Sequence, residues 1–68
     1  MRKFEDEECA MVVRNVKAAT KSLVEAEAAV ACGDYDLGDI SILAHNARRA
    51  LDEVIRTVDA ALRRYRPR

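Results

Sequence analysis

Sixty-eight residues are too few for a second domain, a large catalytic cleft or a repeat array, so the chain reads as a single domain over 1–68. Half of the residues are hydrophobic, but Ala supplies 12 of them and aromatics only three, a composition that favours helix and leaves little apolar surface per residue. Twelve basic and twelve acidic side chains cancel, which excludes the overall positive field of a protein that grips nucleic acid or anionic membrane over its whole surface.

From about Lys3 to Cys32 neither Gly nor Pro interrupts the chain. A heptad pattern fits this stretch, with Cys9, Val16, Leu23 and Val30 at one seam position and Val12, Ala19 and Ala26 at the other. A first helix over 3–32 is predicted. Then comes Cys32-Gly33-Asp34-Tyr35-Asp36-Leu37-Gly38-Asp39, the one cluster of helix-breaking residues before the C-terminal Pro67. Gly33 stands where a left-handed residue would close the first helix, and Asp36, with Asp39 three residues later, suits the cap of the second; Asp39 as the cap itself is the alternative. The heptad pattern resumes with Leu37, Ala44, Leu51, Val58 and Tyr65 at one position and Ile40, Ala47, Val54 and Ala61 at the other. A second helix over 37–65 follows, its last turn favoured by Arg63 and Arg64 at the negative end of the helix dipole and stopped by Pro67. The fold class is therefore all-α: an antiparallel, coiled-coil-like two-helix hairpin.

If the helices fold back on each other, residues whose numbers add to about 70 face one another. Leu23, Val16, Leu51, Val54 and Val58 are then expected in the hairpin seam, with Leu23 opposite Ala47 and Ala19 opposite Leu51. The same register sets Asp6 and Glu7 beside Arg64 and Arg63. It thereby accounts for the acidic run Glu5–Glu8 and the basic tail Arg63, Arg64, Arg66 and Arg68 as mutual neutralisation. The apolar face is wider than a two-helix seam needs, because Val13, Leu43, Ile55 and Leu62 lie beside it and Val24 and Ile42 extend beyond. Helices that touch two neighbours show this widening, so a homodimer is expected, two hairpins forming a four-helix bundle with Val13, Leu43, Ile55 and Leu62 in the dimer contact.

Few chemistries find their parts. Cys9 and Cys32 stand ~34 Å apart on one helix, too far to pair within the chain, and two thiols without a framework fit a reducing cytoplasm. No apolar run reaches the ~18 residues of a membrane span, and no signal-peptide core follows the charged start, so no membrane association is expected. The aspartates around Gly38 do not follow the order of a calcium loop, whose twelfth position would be His45 rather than Glu, and turn and cap chemistry accounts for them. His45, the single histidine, has Arg48 and Arg49 where further metal ligands would stand, and no serine or threonine has a histidine partner for nucleophilic catalysis. Neither metal nor cofactor is expected, and no enzymatic activity. The stretch from Glu25-Ala26-Glu27-Ala28-Ala29-Val30 through the turn to Ala47-Arg48-Arg49-Ala50-Leu51 loosely resembles the helix pairs of tetratricopeptide repeats and HEPN-type domains over about 40 residues. The arginine that an HEPN nuclease site sets four to six residues before its histidine is missing, and a repeat array needs more copies, so the likeness implies neither fold nor activity.

Two basic stripes remain. Arg14, Lys17 and Lys21 follow helical spacing on the first helix; Arg49, Arg56 and Arg63 recur every seventh residue on the second, where Asp52 and Asp59 suggest an intrahelical salt-bridge ladder. The expected function is a small non-catalytic interaction or regulatory module, a homodimer that binds another protein. The alternative is an RNA-binding regulator that uses the duplicated stripe Arg14, Lys17 and Lys21.

Overall fold

The computed structural model describes residues 2–65. It consists of two helices of 27 residues each, α1 (Asp6–Cys32) and α2 (Leu37–Arg63), packed along their length. Residues 3, 8 and 11 meet residues 65, 64 and 57. The helices therefore run antiparallel, and residues whose numbers add to about 70 share a level. The hairpin expected from the heptads is present, and the expectations for Arg66, Pro67 and Arg68 lie outside the described residues.

The ends show how local chemistry sets the boundaries. α1 starts at Asp6, three residues later than predicted. Glu5 has extended backbone, and its N–H donates to the Glu8 carboxylate at 2.8 Å, so the acidic run satisfies an orphan donor at the positive end of the helix. At the other end Gly33 adopts φ 76°, a left-handed conformation that costs a residue with a Cβ ~1–2 kcal/mol, and its N–H donates to the Val30 carbonyl. Asp36 caps α2: its Oδ2 accepts from the Gly38 N–H at 2.9 Å, and a Cβ on Gly38 would stand 2.8 Å from that oxygen. Gly38, a poor residue for a first turn, leaves the Asp36 carboxylate room at this distance. α2 ends at Arg63 rather than at 65, where Arg64 and Tyr65 donate three residues back, to Ala61 and Leu62, and tighten the last turn.

The seam differs from the expected one. Its buried side chains are small: Ala19 and Ala47 are 3% exposed, and Ala50, Thr57 and Ala61 join them. Half-buried residues continue the same rows, through Val12, Asn15, Ser22, Ala26 and Ala29 on α1 and Ile40, Leu43 and Val54 on α2. The row Val12, Ala19, Ala26 and its counterpart Ile40, Ala47, Val54, Ala61 were expected. Their companions are Asn15, Ser22 and Ala29 in place of Val16, Leu23 and Val30, and Leu43, Ala50 and Thr57 in place of Ala44, Leu51 and Val58. Val16, Leu23 and Leu51, expected inside, are exposed, while Val54 and Val58 are half-buried. Small side chains let two helices approach closely, so the seam runs along the alanine side of each helix and leaves the larger residues outside. The polar seam residues bond to their own helices: Asn15 Nδ2 donates to the Met11 carbonyl and Thr57 Oγ1 to the Glu53 carbonyl, both at 2.9 Å or less.

Candidate interaction surface

On each helix the row beside the seam, and the one beyond it, carry most of the large aliphatic residues; Val24, in the row of Lys17, and Ile42, in the row of Arg49, stand outside them. Around α1 the order is Asn15, then Ala19, then Val16 and Leu23, then Val13; around α2 it is Ala50, then Ala47, then Leu51, then Ile55 and Leu62. Both helices are right-handed and run in opposite directions, so equivalent rows emerge on the same side of the hairpin. Val13, Val16, Leu23 and Val30 of α1 thus join Leu37, Leu51, Ile55 and Leu62 of α2 in one continuous face. All eight are exposed, Leu23 by 50%, Ile55 by 56% and Leu37 by 77%.

Three of the four predicted dimer residues, Val13, Ile55 and Leu62, stand on this face. Leu62 is the most covered, because residues 2–4 cross the end of α2 and enclose a cleft of about 140 Å³ lined by Arg2, Lys3, Phe4, Val58, Ala61 and Leu62. The Tyr65 hydroxyl ties that segment down by donating to the Lys3 carbonyl at 3.1 Å. Leu43 stands elsewhere: it is half-buried in the seam row of Ala50 and Thr57. Leu23, Val16 and Leu51 take its place on the outer face. The signal for them was the row Asn15, Ser22, Ala29, whose small side chains suit close helix packing.

The opposite side is charged. Arg14 and Lys21 of α1 emerge there with Arg49, Arg56 and Arg63 of α2, while Lys17 lies on the back of α1, nearer the rim of the apolar face; all six are exposed. Among the described residues the expected ladder through Asp52 and Asp59 is replaced by one pair: Arg56 Nη1 meets Glu53 Oε1, three positions before it, at 2.7 Å. The acidic run and the basic tail do meet, at Arg64 as expected but through Glu8 and Glu5 rather than Asp6 and Glu7. Glu8 falls on the seam row and takes Arg64 in a two-pronged pair, with both N–O distances 2.7 Å, and Arg64 Nε lies 3.7 Å from Glu5. Asp6 and Glu7 point away from this row and form no ion pair among the described residues. The Arg64 hydrogen bonds, helped by the Glu5 N–H, hold the Glu8 carboxyl down to about 2, and the same pair raises the Arg64 guanidinium further.

The remaining reactive groups stand apart. His45 is exposed, with Nδ1 2.7 Å from the Ser41 carbonyl oxygen; a carbonyl only accepts, so Nδ1 carries the proton. Cys9 and Cys32 are exposed free thiols near opposite ends of α1. Among the described residues no group of three His, Cys, Asp or Glu side chains could hold a metal ion, and no helix is long and apolar enough to cross a membrane. The chain matches no protein-family model, and no curated protein or solved structure is significantly similar to it.

Proposed function

We propose that this chain is a small non-catalytic interaction module that works as a homodimeric four-helix bundle and binds another protein through its outer, charged surfaces. The observation that carries the reading is the one-sided aliphatic face. A buried methyl contributes ~0.8 kcal/mol and a fully covered Val, Leu or Ile ~1.5–3 kcal/mol, so the alanine seam holds less burial free energy than the face outside it. A chain of this size, without disulfide or metal, draws stability from covering such a face. On each helix the face is centred about 100° around the axis from the seam, the angle at which a helix in a four-helix bundle meets its second neighbour. The two free thiols fit a reducing, cytoplasmic setting. Ile55→Asp tests the reading: sedimentation equilibrium is expected to show the dimer dissociated, and an unchanged dimer contradicts this use of the face.

A second reading has its own observation. Arg14, Lys21, Arg49, Arg56 and Arg63 share the side opposite the aliphatic face, which brings together five basic residues where either stripe alone offers at most three, and suits the phosphates of a nucleic acid. Binding of duplex RNA that falls steeply with added salt, and is lost in Arg14→Gln/Lys21→Gln, supports this reading; salt-insensitive or absent binding leaves the protein partner.

A further inference from the structure

Resting on the homodimer reading, we infer that the two hairpins pair with both turns at the same end, about a twofold axis parallel to the helices, so that α1 of one copy packs against α2 of the other. Such an axis leaves every residue at its own level, and the intermolecular register is therefore the one already fixed within the hairpin, with numbers adding to about 70. Nothing can be slid to improve the match, which makes the match informative. At this register Val13 of one copy is level with Ile55 of the other, two exposed aliphatic residues in equivalent rows. On the outer flank of the same helix pair Lys17 is level with Asp52. Ala10 faces Asp59 and Val24 faces His45, so no like charges oppose one another along that flank. The twofold axis repeats each pairing.

The other arrangement that covers this face has the turns at opposite ends and sets α1 against α1 and α2 against α2. With the hairpins fully overlapped, it gains Arg48 beside Asp52. In the rows that then face each other it sets Ile55 against Arg48 and Val13 against Glu27, and so breaks the aliphatic pair that the same-end arrangement forms. Exposed ion pairs contribute little beside aliphatic burial, so the aliphatic match decides. Lys17, which sequence spacing grouped with Arg14 and Lys21, then belongs to the dimer contact.

A nitroxide on Tyr35→Cys, in the exposed turn of the full chain with Cys9→Ser and Cys32→Ser, reads the arrangement by pulsed dipolar spectroscopy. Neighbouring helices lie 8–10 Å apart, so turns at the same end give a distance of about 20 Å; turns separated by the length of a 27-residue helix give about 40 Å or more. The short distance is the expected result and the long one overturns the inference while leaving the dimer intact. A monomer by sedimentation, with no dipolar coupling, overturns the dimer and the inference together. Charge exchange gives an independent check: Lys17→Asp is expected to weaken the dimer about fivefold and the added Asp52→Lys to restore it, and a double variant as weak as the single one contradicts the pairing.

Discussion

The two longest surfaces of the hairpin have opposite chemistry. Where the helices touch, the side chains are Ala19, Ala47, Ala50, Thr57 and Ala61; on the adjoining face, turned to solvent, are Val13, Val16, Leu23, Leu51 and Ile55. In a protein that finishes its own core the order would be reversed. The difference separates two jobs: small residues set how closely and at what level the helices meet, and large ones hold most of the burial free energy that a further contact can release. The charged clamp at the open end belongs to the first job. Glu8 is joined to Arg64 and the Tyr65 hydroxyl to Lys3, and both contacts fix the register without covering much apolar surface.

The largest expected effect breaks the outer face. In the proposed dimer Ile55→Asp inserts a charge at two symmetry-related positions and removes the burial of two isoleucines, a loss of ~3–6 kcal/mol per dimer from burial alone; it should leave a monomer with a much weaker helical circular dichroism signal at low micromolar concentration. Overfilling the seam comes next. Ala47→Leu pushes the helices apart and should cost ~1–3 kcal/mol, read as a lower midpoint in urea, whereas Ala28→Leu, exposed on the charged side, should stay within ~0.5 kcal/mol of the parent. If both substitutions had the same effect, the seam would not be where the alanines are. Gly33→Ala should cost ~1 kcal/mol from backbone strain alone, because nothing lies within 4 Å of the added methyl, and the same urea midpoint measures it.

The smallest effect sharpens the role of the clamp. The folded Glu8 carboxyl is held at about 2, below its value in the unfolded chain, so its contribution is complete above about pH 5 and is lost as the pH falls toward 2. Glu8→Gln should flatten that part of the stability–pH curve while leaving the midpoint at neutral pH only slightly lower, since the pair is partly exposed to solvent. An unchanged acid limb would show that another carboxylate carries it.

How far these features were legible in the sequence depends on how many patterns each stretch could satisfy. Gly33 admits one reading, because a left-handed closing residue is demanded at a fixed place, and of the two aspartates that could cap the second helix Asp36 is the one that does. The row through Val12, Ala19 and Ala26 belongs to two overlapping heptad templates, one continuing through Val16 and Leu23 and the other through Asn15 and Ser22. A rule that sends the larger residues inward selects the first; close approach of two backbones selects the second. The outer face was therefore legible as excess apolar width, and its members Val13, Ile55 and Leu62 were identified, while Leu43 exchanged places with Leu23, Val16 and Leu51. The salt bridges were legible only by region: opposite charge at the two chain ends brought the ends together, but the choice of Glu8 over Asp6 and Glu7 follows from which of them falls on the seam row.

The central claim is that the aliphatic face is covered by a second copy of the same chain. Sedimentation equilibrium of the reduced protein over a concentration series, with circular dichroism on the same samples, tests it directly. The account predicts a helical species of twice the chain mass at low micromolar concentration, with helix content falling as dilution populates the monomer. A well-folded monomer whose helicity does not change across the series would contradict it.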